Sequence, residues 1–211
     1  YGTPLRISYL PKIREQIRKA RNLFNQSFKK HDYAGSYEFC YCTKCCHFSY
    51  VVKPALKERV SLETSSSHDI DLILKLYEHG ALSKDTTILH NGIKTDEYIE
   101  KIRLLQHQDF KNTIIILDSV QELERITTQR LDEPIKIGLR ISIDEKPQAA
   151  YSTSRLGINK RELLELVKEK IQPNPLLELH MIHFFVDSGI NDNLYYWGEF
   201  KKALQLYIHI K

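Results

Sequence analysis

Short runs rich in β-branched and aromatic residues alternate with longer stretches of helical periodicity along the chain, and no other feature limits the fold as much. An apolar run at 5–9 reads as a short strand that stops before Pro11, where a helix can begin because proline suits the first turn. Ile13, Ile17, Ala20, Phe24 and Phe28 then mark one face of that helix. The next strand is expected over 36–43 and a helix over 47–59, its start or straightness disturbed by Pro54. Residues 60–65 read as a strand, and Ser67 caps a helix through Tyr77 that stops near Gly80. A strand over 86–90 leads to a helix opened by Thr95, Asp96 and Glu97. The continuous apolar run 112–117 is of the buried-strand type, and Ser119 with Glu122 has capping-box spacing for the helix after it. A strand over 135–143 precedes a helix started by Asn159 with Glu162, and a strand over 176–186 precedes an aromatic-rich helix within 191–211.

Setting the first short run aside, six strand–helix units remain, ending at Cys42, Ser65, His90, Leu117, Ile143 and Val186. Such alternation predicts right-handed crossovers and a parallel sheet. The pattern alone leaves two architectures open. A doubly wound sheet can use six strands, whereas a closed barrel needs eight and about 250 residues. No glycine-rich dinucleotide or Walker pattern follows any of the strands, which argues against the usual nucleotide-binding sheets.

Composition narrows the partners. With 42% hydrophobic and 27% charged residues, the 211-residue chain is ordinary for a globular protein. No stretch reaches the roughly 18 apolar residues of a membrane span. The net charge of +4 is spread over helix-like segments without a basic stripe, so neither membrane nor nucleic acid is an expected partner. The chain opens at Tyr1 without a starting Met, directly before an apolar run, and reads as a cut piece. Its four cysteines, Cys40, Cys42, Cys45 and Cys46, lie within one short stretch, which excludes a disulfide framework and suggests reduced thiols in the cytoplasm.

In parallel α/β folds reactive groups gather at the C-terminal ends of the strands. Read in order, those ends supply Lys44, Glu63, His90 with Asn91, Asp118, Arg140, and the run from His183 to Ser188. Each also has a plain structural explanation: a solvated loop lysine, an N-cap neighbour in Asp118, an arginine paired with a buried carboxylate. Clustered thiols could hold a soft metal, but no second Cys or Cys/His pair has zinc-ribbon spacing. Small buried hydrophobes are the simpler reading of these cysteines, and no metal site is assigned. His180 and His183 fall on opposite faces of a strand and cannot share an ion there.

Several segments, in order along nearly the whole chain, resemble one family. Tyr41-Cys42-Thr43-Lys44 is similar to the strand end of the fold-type III decarboxylases with an alanine racemase-like barrel. The strand Val60 to Ser66, the pair Asn91-Gly92-Ile93-Lys94 and Asp96 to Ile99, Leu117-Asp118-Ser119, Gly138-Leu139-Arg140-Ile141 and Ser154 to Ile158 resemble its later segments, the second of these as found in biosynthetic arginine decarboxylases. The sixth strand departs from the family pattern: in His183-Phe184-Phe185-Val186-Asp187-Ser188, Phe185 stands where a ring-stacking histidine is usual and Asp187 replaces a glycine.

The resemblance implies a PLP-binding (β/α)8 TIM-type barrel, present as about six of its eight strand–helix units, with residues 1–211 forming one domain that lacks its C-terminal end and the following β-domain. It implies pyridoxal 5'-phosphate as cofactor, covalently held by Lys44. Glu63 would order that lysine and its proton, and Arg140 would steady the cofactor region. Phe185 would cover the ring by stacking, with His183 beside it and Ser188 reaching the phosphate. Asn91 and Asp118 would lie near the site. The implied activity is decarboxylation of a basic amino acid, arginine to agmatine in polyamine biosynthesis, by a cytoplasmic homodimer, with this piece inactive alone. Alternatives are ornithine, lysine, diaminopimelate or carboxynorspermidine as substrate, a homologue that binds the cofactor without decarboxylating, and a metal-binding interaction module built on the cysteines.

Overall fold

The computed structural model describes residues 2–5, 7–128, 131–142, 156–186 and 193–211. The chain divides into two compact units, Tyr1–Leu89 with Glu100–Asn112, and His90–Ile99 with Thr113–Lys211. Helices and strands alternate in the order α1 (Pro11–Lys30), β1 (Cys40–Cys42), α2 (Ser49–Leu56), β2 (Ser61–Thr64), α3 (Ser67–Glu78), β3 (Ile88–His90) and α4 (Asp96–His107). They continue as β4 (Thr113–Leu117), α5 (Val120–Thr128), β5 (Ile135–Arg140), α6 (Lys160–Leu166), β6 (Leu177–His183) and α7 (Asn193–Ile210). A single 3-10 turn, Thr43–Cys45, follows β1, and a π-helical turn, Val167–Ile171, extends α6. No helix among the described residues is long and apolar enough to cross a membrane.

In the first unit, α1 starts at Pro11 as its sequence requires. Ile17 on its inner face packs with Ala55 of α2 and with Val60, and Ile13, Phe39, Tyr41 and Leu56 surround them. Pro54 lies inside α2 without ending it at that point. The strand expected at 5–9 does not form among its described residues: Leu5, Ile7 and Tyr9 are all exposed, and an extended run with no burial on either face has nothing to offset its ordering entropy. The strand expected over 36–43 shrinks to three residues, those that run parallel to β2. Helix α3 begins at Ser67, the expected cap, so its N-cap is Ser66, one residue earlier. Asp69 accepts hydrogen bonds from the Ser65 amide (2.7 Å) and the Ser66 hydroxyl (3.3 Å), doing the capping from inside the first turn. Its end is the expected one: Gly80, at φ 66°, donates to Tyr77, and Ala81 donates back to Leu76 at 2.8 Å.

The second unit is built on β4, β5 and β6, adjacent in sequence order and parallel throughout. In β4 and β5, Ile115, Ile116, Leu117, Ile137 and Leu139 are buried, the continuous apolar pattern of a strand covered on both faces. The β5–β6 register passes from Ile137↔Leu179 to Gly138↔Met181, so His180 is the extra residue of a bulge. His180 pairs with Glu178 at 3.1 Å on the exposed side, a surface role. Past the end of β5, Ile141 pairs in parallel with Ile158. Asn159 accepts from the Glu162 amide at 3.0 Å and caps α6 as its spacing predicts. The expected strand end at Ile143, the residues Ser154 and Arg155, Asp187 and the cofactor candidate Ser188 lie outside the described residues.

Candidate active site

Two groups of side chains stand at the strand ends, one in each unit. In the first, Lys44 occupies the 3-10 turn that directly follows β1, and its side chain is exposed. The turn is pinned on both sides: the Tyr41 hydroxyl donates to the Cys46 carbonyl at 2.9 Å, and the Thr43 hydroxyl to the Glu63 carbonyl at 2.9 Å. Tyr41 faces the helices, so the two-residue alternation of β1 sends Cys40 and Cys42 to the other face of the sheet. The register Cys42↔Glu63 sets the Glu63 carboxylate on that same face, where it accepts from the Cys42 thiol at 3.4 Å. Burial and the neighbouring carboxylates push both Cys40 and Cys42 up to about 12. Both thiols therefore hold their protons at neutral pH.

The second group is a buried ionic network. Lys94, which follows the turn after β3, has no exposed surface. Its ammonium donates to the carbonyls of Gly92 (2.6 Å) and Ile116, and lies 3.5 Å from Glu122 and 3.8 Å from Asp118. Glu122 ties two strand ends together by accepting the amides of Lys94 (2.9 Å) and Asp118 (2.8 Å), while Ser119 accepts the Glu122 amide at 3.3 Å. That is the expected capping box with its return bond displaced by one residue. Arg140 donates to Asp118 Oδ1 at 3.3 Å and stands over the Phe185 ring, 5.6 Å from its centroid. Asp118 Oδ2 is buried and makes no hydrogen bond to the described residues. Burial pulls Lys94 below its ordinary value, against the attraction of Glu122 and Asp118. Burial raises Asp118, and Lys94 and Arg140 pull it back.

Of the remaining sequence candidates, Asn91 is used locally: its side chain accepts the Gly92 amide at 2.9 Å and shapes a turn in which Gly92 takes φ 75°. His183 is the last residue of β6, and its carbonyl accepts the Ile141 amide at 2.9 Å. His90 is fully buried beside the edge of Tyr98, and desolvation followed by the Lys94 charge pushes it down to about 3. It is a neutral core histidine. Phe185 is half exposed. Within the second unit the structure brings together Asp118, Arg140 and Phe185; within the first it brings together Glu63 and the turn bearing Lys44.

Three contributors escape a reading of the sequence. Lys94 was visible only as part of the Asn91 to Lys94 segment, Glu122 only as a cap, and Cys42 only as a small apolar residue. In the first unit the exposed primary amine of Lys44 suits an aldehyde, and in the second the Arg140 guanidinium and the half-exposed Phe185 ring suit a planar phosphorylated group, so the residues of each unit fit pyridoxal phosphate.

Comparison with known proteins agrees with that chemistry. Residues 11–211 match the family described as pyridoxal-dependent decarboxylase, pyridoxal binding domain. The chain belongs to this family. Its cofactor is accordingly pyridoxal phosphate. A biosynthetic arginine decarboxylase of Prochlorococcus marinus (strain MIT 9303) is 25% identical over 218 residues, covering 98% of this chain and 33% of the relative. The chain thus spans about a third of the length of the curated relatives it matches. Among solved structures, the biosynthetic arginine decarboxylase of Campylobacter jejuni superposes with a TM-score of 0.74 at 24% identity, over 94% of this chain and 32% of that one. Diaminopimelate decarboxylase from Helicobacter pylori, in complex with L-lysine, gives 0.71 at 20% identity over 93% and 48%. At these identities the structural likeness shows the fold, a PLP-binding TIM-type barrel represented here by six parallel strand–helix units.

Proposed function

We propose that this domain binds pyridoxal phosphate through Lys44 and serves the decarboxylation of a basic amino acid, arginine to agmatine, for polyamine synthesis. The observation that carries the reading is the placement of Lys44. Its amine is exposed on a turn that Tyr41 and Thr43 hold rigid at the end of β1, with the Glu63 strand in register alongside. A solvent-reachable amine on a pinned turn, beside a strand that carries a carboxylate, suits covalent capture of an aldehyde. The arginine decarboxylases among the relatives support the substrate class.

When bound, the cofactor supplies an electron sink for the charge left as the carboxylate departs. Lys44 would hold the cofactor at its aldehyde carbon, and Glu63 would order the proton at Lys44 Nζ. Arg140, held by Asp118, presents a positive charge, and Phe185 would offer the cofactor an aromatic face without a proton. Asn91 shapes the turn after β3, and His183 lies at the end of β6; Ser188, close beyond it in sequence, is the phosphate candidate. The same reading makes residues 1–211 a single barrel domain of a cytoplasmic homodimer.

The test uses the full-length protein. Borohydride reduction in the presence of cofactor should place the mass of the adduct on Lys44, and Lys44→Ala should lose both the adduct and the release of CO₂ from arginine. Assays with ornithine, lysine and diaminopimelate rank the substrates. An adduct on Lys44 with no CO₂ from any of them replaces the decarboxylase reading with that of a cofactor-binding homologue. An adduct on another lysine removes the proposal.

A further inference from the structure

The Cys42 thiol has no part in the function proposed above, yet it donates to the Glu63 carboxylate. Three features make the contact specific. The register Cys42↔Glu63 sets the two residues side by side on neighbouring strands, and alternation puts both side chains on the face opposite the helices. The thiol then donates to Glu63 Oε1 at 3.4 Å, within the range of a sulfur donor. Two residues on, the turn carrying Lys44 is fixed to the same strand through Thr43 and the Glu63 carbonyl. Glu63 is therefore held twice by consecutive residues of one segment, through its backbone by Thr43 and through its side chain by Cys42.

We propose that Cys42 is a positioning residue, its thiol donating to the Glu63 carboxylate and holding it on the sheet face opposite the helices, on the strand to which the Lys44 turn is tied. The proposal rests on the assignment of Lys44 and Glu63 to the cofactor site. With one oxygen tethered, the orientation of the carboxylate no longer depends on a flexible side chain finding one rotamer among several. The groups acting on the thiol are few: burial, the Glu63 carboxylate, the Lys44 backbone and the neighbouring Cys45. Burial and Glu63 both keep the proton on sulfur, which is the state in which it can donate.

The thiol itself reports on the contact, without cofactor. Alkylation of the full-length protein, resolved to single cysteines by peptide mass spectrometry, should show Cys42 unreactive near neutral pH while Cys45, which is exposed, reacts. Glu63→Gln removes the carboxylate's repulsion and its demand for the proton. A fall of one unit in the thiol's pKa raises the thiolate about tenfold and lowers its intrinsic reactivity by about threefold, so the Cys42 rate should rise by about threefold per unit. Where Glu63→Gln fails to fold, Glu63→Asp withdraws the carboxylate by one methylene and the same comparison applies. Cofactor affinity then separates positioning from packing. Cys42→Ser keeps a donor and should keep the dissociation constant within about twofold, whereas Cys42→Ala should weaken it by about fivefold or more, the effect of one lost hydrogen bond. An unchanged Cys42 rate in the Glu63 variants, or a Cys42→Ala protein that binds cofactor like the parent, overturns the inference. Failure of the Lys44 assignment shows separately, in the borohydride experiment, and leaves the thiol rates standing.

Discussion

The Lys94 ammonium lies 3.5 Å from the Glu122 carboxylate, and the lysine side chain has no exposed surface. A charge taken wholly out of water survives only where opposite charge and hydrogen-bond acceptors surround it, and here Glu122, Asp118 and the Gly92 and Ile116 carbonyls do so. The network does more than neutralise itself. Through Asp118 it reaches Arg140, and through Arg140 the Phe185 ring.

Removing the cation should therefore be severe. Lys94→Met is expected to destabilise the protein by about 3–5 kcal/mol, because Glu122 and Asp118 remain buried without it. Adding Glu122→Gln to Lys94→Met should cost less than the sum of the two single changes, since the second removes a charge the first has orphaned. Urea unfolding of the four proteins in the cycle measures this; strict additivity would contradict the coupling.

His90 gives the fold an early sensitivity to acid. Its folded pKa is pushed from 6.5 to about 3, so between those values the unfolded chain binds the proton and the folded chain does not. The sign follows: its contribution is fully present above the unfolded value of 6.5 and is lost steadily as pH falls towards 3. The melting temperature should already decline from pH 6.5 to 5, and His90→Gln should flatten that decline.

Glu58 acts lower on the scale. Arg18 and Arg14 donate to its carboxylate at 2.7 and 2.6 Å and hold it down at about 2, against an ordinary 4.5. This stability is present above pH 4.5 and disappears as pH falls through 2. Glu58→Gln should remove that portion of the acid transition while leaving the shoulder from His90. A differential scanning series from pH 7 to 2 separates the two.

Gly157 is expected to admit no side chain. It stands at φ 105°, and an added Cβ would lie 2.6 Å from the Ser142 backbone nitrogen. Its amide donates to the Asp118 carbonyl at 3.1 Å, so the strain would fall beside the ionic network. Gly157→Ala should cost about 1–3 kcal/mol and weaken cofactor binding as well. Equilibrium unfolding checks the first effect and a cofactor titration the second.

Arg140→Met keeps length and apolar bulk but drops the charge. Cofactor affinity is expected to fall by about tenfold, the worth of one charge-assisted hydrogen bond. Titration of the apoprotein followed by cofactor absorbance measures it, and an unchanged affinity would remove Arg140 from the site.

What the sequence determined by itself is local. The alternation of strands and helices, the cap at Asn159 with Glu162, the stop at Gly80 and the position of Lys44 just past a strand all depend on bonds that close within a few residues, and each is present. The strand expected at 5–9 failed because an apolar run specifies a strand only if a neighbour covers it. Burial of Lys94, and the second role of Glu122 beyond its cap, were decided by tertiary structure alone, since the Lys94 amide bonds a residue 28 positions away. The same holds for Cys42, which reads as a small apolar residue until the β1–β2 register sets it against Glu63, 21 positions on. Register and burial are properties of pairs that meet only after folding, so a charge or thiol receives its chemical role from partners the local sequence does not name.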